Sequence, residues 1–444
     1  MKLFSALIVL LTVLALACFV TEVQASQGAY AAYLVAFIGT AAIAGTMTRS
    51  MQMENVSRLY ANTLTNLIPD TYRALDVVSR ELTGAIPSVT RDAQADQVAQ
   101  NQTLRIPVTR ANTAGKDITP AMSIPAAADQ TIDNATLTIQ KLRAFPFSWQ
   151  AEEQYAINQG PGFLTIQQQQ IAQALRAAIN EVEADVCNYA YLGASRAYGT
   201  AGTTPFASTL GDPAQVRKIL DDNGAPPTDR SLVINTAGGA ALRTLAQLTK
   251  ANEAADTSML RQGTLLDIHG FQIRESAQIK IPTAGTASGA TTNNAGYAVG
   301  ATTLTLASAG TGTILAGDVI TFAGDTNKYV VVSGSSDVSA GGTVVLAAPG
   351  LRVAMSAATK AITMVATSTR NLAFSRNAIL LATRLPMAPT TGDLALMREI
   401  VTDPRTGIAF SLTVWPGYYK VNFEIGLAWG VSVIKPEHIA TLLG

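Results

Sequence analysis

Apolar residues recur at steps of three and four through TIQQQQIAQALRAAINEVEADVCNYAYLG, residues 165–193. Ile171, Leu175, Ala178, Val182, Val186 and Tyr189 share one side of a 3.6-residue helix, and Gln173, Arg176, Asn180 and Glu183 fall largely between them. Thr165 and Gln168 stand as a capping box, Gly160-Pro161-Gly162 bars helix before them, and Gly193 is placed to end the helix in the left-handed conformation. At 1.5 Å per residue the rod is roughly 40 Å long. It is expected to be the spine of the subunit, with Ile171, Leu175, Val182 and Val186 in its core.

Around that helix the pattern changes several times. Residues 1–60 form an apolar leader: Lys2, an apolar run from Leu3 to Val20, a small-residue cleavage pattern near Ala25, and a second uncharged run from Gly28 to Thr48. This segment suggests export or a membrane, and nothing after Arg49 supports either; the resemblance given below implies a wrongly chosen start or a fused frame instead. Residues 61–100 read as an N-terminal helix and arm. The helix runs from Asp70 to Leu82 with Leu75, Val78 and Leu82 buried, and residues 88–100 are a polar arm or surface turn. Residues 101–149 read as an extended loop of two strands, Thr103 to Val108 and Ala135 to Phe145, joined by a polar excursion. With so little core of its own, this ribbon must lean on something, and a neighbouring subunit is one candidate.

Residues 150–281 carry the spine helix and an α/β body. Asp212-Pro213 opens a short helix, Ser231 to Asn235 is a strand, Gly238 to Leu248 a helix, and Phe271 to Glu275 a strand. Residues 282–366 differ in kind. Short apolar runs at 303–306, 318–322, 328–332, 343–347 and 360–365, parted by Gly, Ser, Asn and Asp, predict a small inserted β-barrel or sandwich domain. Residues 367–444 return to the body. Ile408 to Val414 is a strand there, Tyr419 to Leu427 alternates as a half-buried strand, and Pro436 opens a terminal helical turn. The fold class is α+β.

Composition narrows the function. Of 444 residues 14% are charged, the formal net charge is zero and 48% are hydrophobic, which argues against disorder and against nucleic-acid binding by bulk electrostatics. Weakly charged surfaces of this kind suit extensive contact with other protein. Two cysteines provide no disulfide framework, and Cys187 reads as a small buried hydrophobe. The two histidines, His269 beside Asp267 and His438, lack metal-ligand spacing and an accompanying nucleophile motif. The glycine-rich pieces GTASGA and GTGTILAG lack the Lys-Ser/Thr of a phosphate loop and read as turns. No cofactor and no metal are expected. Such a sequence favours a structural or assembly protein over a surface-binding protein or an enzyme.

Five stretches carry a resemblance: RSLVINTAGGAALRTLAQLTKANEA from Arg230, LRQGTLLDIHGFQIRESA from Leu260, GDVITFAGDTNKYVVV from Gly317, NLAFSRNAILLATRLP from Asn371 and LAWGVSVIKPEHIATLLG from Leu427. In that order, over the chain from about Ala61 to Gly444, they resemble the major capsid proteins of tailed bacteriophages, of the coat type of the short-tailed phage P-twenty-two. The resemblance implies the Johnson, or Hong Kong ninety-seven, fold: N-terminal arm, extended loop, spine helix, peripheral and axial domains, and an immunoglobulin-like or telokin-like inserted domain. It implies self-assembly into pentamers and hexamers of a head shell enclosing double-stranded DNA, with scaffolding and portal proteins as partners and no stable membrane partner. Assembly in the host cytoplasm and residence in the virion capsid follow from it. In that family the extended loop lies over an adjacent subunit, so Arg110, Lys116 and Asp117 would make polar contacts across the interface. The leader has no counterpart there, and the loop at residues 324–328 is short beside the charged loops of some relatives. The alternative from another class is an exported or membrane-anchored, adhesin-like surface protein, supported by the leader and the β domain.

Overall fold

The helical period at 165–193 becomes a helix of 30 residues, α1 (Phe163–Leu192). In the computed structural model, residues 82–108, 120, 133–151, 163–245, 248, 267–389, 392–403 and 406–444 are described, all within one unit, Asp70–Gly444. The leader and nearly all of the helix expected at 70–82 lie outside the described residues; Leu82 is described, is not helical and is half exposed.

Ile171, Leu175, Ala178, Val182 and Val186 are buried, and so is the adjacent row Ala172, Ile179, Glu183, Cys187 and Ala190. One apolar stripe would suffice for a helix on a single sheet. Two adjacent rows are buried because α1 touches strands of two sheets, described below. Both ends of α1 differ from expectation. It starts two residues ahead of Thr165, which therefore sits inside the first turn and is not its cap. Gly193 is not left-handed; a Cβ there would lie 2.8 Å from Val433 Cγ2, so the glycine permits close packing against the sheet.

In chain order the strands before α1 are β1 (Thr90–Val98), β2 (Thr103–Val108), β3 (Asp133–Thr138) and β4 (Lys141–Gln150). After it come β5 (Arg196–Tyr198), helix α2 (Gly211–Asp222), β6 (Arg230–Ile234), helix α3 (Thr236–Thr244) and β7 (Gln272–Glu275). Next are β8 (Thr303–Leu306), β9 (Val319–Phe322), β10 (Lys328–Ser333), β11 (Gly342–Leu346) and β12 (Ile362–Met364). The chain ends through β13 (Arg370–Ser375), β14 (Ile379–Pro386), β15 (Met397–Thr402), β16 (Ala409–Gly417), β17 (Lys420–Val433) and β18 (Ile439–Leu443). The architecture is mixed α/β.

The first sheet is built around β17. Ala428 pairs with both Leu142 and Arg384, and Gly426 with both Ala144 and Ser411, so β4 lines one edge of β17 while β14 and β16 share the other. β15 follows β16, and β1 adds to β14 in parallel, from Thr90 opposite Leu380. The polar arm expected at 88–100 is thus an edge strand. Its charge is partly spent on a buried partner: Asp92 takes the Arg384 guanidinium at 2.6 Å.

β17 alternates only in its first half. From Leu427 to Val431 every residue is buried, because each face is covered. On one face Trp429 Nε1 donates to Asp185 of α1 at 2.9 Å. On the other, Leu137, Ile139 and Val98 cluster with Leu380, Ala382 and Ala428. The run expected as one strand at 135–145 is split there: Ile139 N donates to Gln102 O and Gln140 N to Trp429 O, which turns the chain from the β2–β3 ribbon onto the sheet.

The second sheet runs β12-β9-β10-β5-β18-β13-β6-β7. The helical turn expected to open at Pro436 is present at Pro436–His438, and residues 439–443 after it form β18, which fills a slot between β13 and β5. α2 begins one residue ahead of Asp212, whose carboxylate accepts the Phe206 N–H at 2.9 Å and does not cap the helix. α3 is capped by Asn235 and ends at Thr244, short of Leu248. Residues 290–362 enclose a separate apolar cluster that includes Leu304, Ile320, Tyr329, Val331, Val344 and Leu346. Their strands are also tied to the body, since β10 pairs with β5 through Lys328 with Ala197 and Tyr329 with Arg196.

Three outcomes follow from this packing. Leu175→Asp puts a carboxylate into a fully buried position at a cost of several kcal/mol, and the subunit should lose soluble yield in a solubility assay; normal yield with unchanged melting would contradict the buried row. A fragment spanning residues 281–366 contains its own cluster and should show β circular dichroism and a cooperative melt, whereas a disordered spectrum would place its core partly in the body. Gly430 has a third role, since a Cβ there would lie 2.2 Å from the Thr138 carbonyl oxygen. Gly430→Ala should therefore speed proteolytic cleavage of the ribbon while leaving the melting of α1 and the sheets close to wild type; unchanged cleavage would mean that the ribbon root adapts freely.

Candidate functional site

Among the described residues, the histidines and the free cysteine stand apart from one another. His269 sits in a tight turn with φ +52°, where Ile268 and Phe271 bond across it and the His269 carbonyl accepts Arg217 Nη1 at 2.7 Å. His438 is buried in the short helical turn before β18, and burial lowers its pKa. Cys187 is buried on α1 and its thiol is pushed well above the ordinary range by desolvation. Among the described residues no group of His, Cys, Asp and Glu could hold a metal ion.

A cleft of about 430 Å³ opens between β5, α2 and β10. It holds Arg196, Lys218, Lys328, Asp212 and Asp222. Most of these charges are committed to structure. Arg196 bonds Asn327, Asn223 and the Ile219 carbonyl, and pairs with Asp222 at 3.4 Å; the Lys328 ammonium donates to the Gly199 carbonyl; Asp212 holds the Phe206 amide. No nucleophile and base stand together there. The cleft is a joint where β10 meets the body.

The dense polar constellation lies along α1 instead. Lys141 on β4 bridges Glu181 at 3.1 Å and Asp185 at 2.9 Å, Arg143 reaches Glu181 at 3.1 Å, and Trp429 completes the cluster through Asp185. Burial alone would lower the Lys141 pKa, but the hydrogen bonds and charges of Asp185 and Glu181 outweigh it and raise the pKa. Between them in sequence, on the other side of α1, Glu183 is fully buried, its carboxylate accepting the amides of Gly84, Ala85 and Ile86 at 2.7–2.8 Å. Desolvation raises its pKa against the lowering effect of those bonds and of Ser276. The periodicity counted Glu183 among the polar positions, and no sequence signal marks it as an anchor. Both groups join elements; neither faces a substrate cavity.

The expected core residues Ile171, Leu175, Val182 and Val186 lie together beneath α1. Arg110, Lys116 and Asp117 lie outside the described residues. Their ribbon is described at both roots: β2 and β3 pair from Thr103 with Thr138 to Val108 with Asp133, and form a sheet of two strands. Leu137 is buried at the root, whereas Thr103, Arg105, Asn134 and Thr136 are exposed. Exposed apolar side chains also flank the free edge of the first sheet, at Leu394, Leu396 and Ile400, and an edge-on pair, Tyr418 and Tyr419, caps the β16–β17 hairpin.

No protein-family model matches the chain. No curated protein matches it. Among solved structures, the capsid of the cyanophage P-SCSP1u is similar with a TM-score of 0.46 and 11% identity, covering 82% of this chain and 89% of that one. A chain of Mycobacterium phage Che8 is similar with a TM-score of 0.43 and 13% identity, covering 83% and 90%. The capsid of a native GTA particle is similar with a TM-score of 0.42 and 11% identity, covering 82% and 91%.

Proposed function

We propose that this chain is the major capsid protein of a tailed bacteriophage. It self-assembles into the pentamers and hexamers of an icosahedral head shell that encloses double-stranded DNA, without catalysis and without sequence-specific contact with the DNA. The observation that carries this reading is the ribbon. β2 and β3 hydrogen-bond as a sheet of two, and their described apolar anchorage lies at the root, at Leu104, Leu137 and Ile139. A two-stranded arm of that kind is marginal in water and gains its stability from whatever it lies against. In this reading the support is an adjacent copy of the same chain.

The order of elements supports the same assignment. β1 and the residues before it serve as the N-terminal arm, β2–β3 as the extended loop and α1 as the spine. The sheet around β17 serves as the peripheral domain, the sheet containing β5, β18, β13, β6 and β7 as the axial domain, and residues 282–366 as the immunoglobulin-like or telokin-like insertion. The resemblance of the sequence to the coat type of phage P-twenty-two belongs to this reading. Scaffolding and portal proteins are its further partners, and the protein resides in the virion capsid after assembly in the host cytoplasm. Arg110, Lys116 and Asp117 make the ribbon's polar contacts across the subunit interface.

Replacing residues 111–124 by a short Gly-Ser turn separates folding from assembly. The subunit should remain soluble, with a cooperative melt close to that of the parent, and should no longer sediment as closed particles. Shells of normal size from the shortened chain would remove the ribbon from assembly. Loss of folding would place the ribbon in the subunit core.

A further inference from the structure

Glu183 does more than fill space on α1. Its Oε1 accepts the N–H of Gly84 at 2.8 Å and of Ala85 at 2.7 Å, and Oε2 accepts the N–H of Ile86 at 2.8 Å. Consecutive amides converging in this way form an anion-binding nest, here filled by a side chain about 100 residues away in sequence. The neighbouring charged and titratable groups are few: Cys187 one turn along α1, Lys280 beyond β7, and Glu275, whose carboxylate is held by Arg243 at 2.6 Å on both oxygens. Ser276, also buried, adds a hydroxyl bond to Glu183.

We propose that Glu183 is a charge-operated latch that fixes residues 82–89 against α1, independently of the hold on the edge strand β1. Beyond Thr90 a different clamp takes over. Arg384 donates to the Asp92 carbonyl at 2.7 Å and pairs with its carboxylate, while Arg91 donates to the Thr406 carbonyl. The two holds use different residues and different acceptors, so the first can be opened while the second stays shut. The proposal concerns the subunit alone and holds whether or not the chain builds a shell.

Residue-resolved hydrogen exchange on the full chain tests the latch. Glu183→Gln keeps the shape but supplies one oxygen and an NH₂ group, which can accept nothing from a backbone amide. The Gly84–Ile86 amides should exchange faster by about tenfold or more, the scale of a lost charge-assisted bond. The β1 amides bonded to β14, and those of α1, should stay within about twofold of the parent. Gly84→Ala attacks the nest from the other side, because its Cβ would lie 2.6 Å from the Glu275 carbonyl oxygen. It should give the same confined acceleration with the carboxylate intact, and it decides the matter if the Gln variant does not fold. Unchanged exchange at 84–86, or acceleration spread through α1 and β1, would overturn the latch.

Discussion

The fold depends on one helix being buried along two rows instead of one. A helix on a single sheet needs an apolar arc and leaves the rest to water. α1 meets strands of both sheets, so the row through Ile171, Leu175, Val182 and Val186 is joined by the row through Ile179, Glu183 and Cys187. The second row contains a carboxylate in the interior, which would be costly without partners. Three backbone amides and a hydroxyl supply them, and in doing so draw residues 84–86 onto the helix. The same helix holds the first sheet through the Lys141, Arg143 and Trp429 cluster. Removing α1 would leave two sheets and an incoming segment with no common support.

The ribbon follows a different logic. Its root is tied to the body by Leu137 and Ile139 and by the close approach of Thr138 to Gly430, where no side chain fits. From that root outward, β2 and β3 have backbone bonds to each other and few buried side chains among the described residues. An arm rooted in this way suits the contact between copies proposed above. The weak overall charge fits a subunit that meets its neighbours over large areas more than one that holds an ionic substrate.

Much of this was legible where the local pattern and the tertiary environment agree. The spine helix, the β2 strand and the short strands between residues 303 and 364 stand within a few residues of their periodic runs. Where burial arises from distant partners, the pattern misled. β1 is polar because it is an edge strand clamped by Arg384, and β18 is a strand only because β13 and β5 leave a slot for it. The second half of β17 loses its alternation because α1 covers one face and the ribbon root the other. Gly193 looked like a helix terminator and is a packing contact with Val433. Glu183 was illegible for the same reason: its partners are backbone amides, which carry no side-chain signature. Arg110, Lys116 and Asp117 rest on family resemblance, and their ribbon tip lies outside the described residues.

The most direct measurement is electron cryo-microscopy of the sedimentable fraction obtained when the full chain is expressed. The account predicts closed shells or curved arrays built from repeating five-fold and six-fold clusters of this subunit, with the ribbon of one copy lying across the next. A folded protein that stays monomeric or forms only small oligomers at every concentration, with no such array, would contradict it.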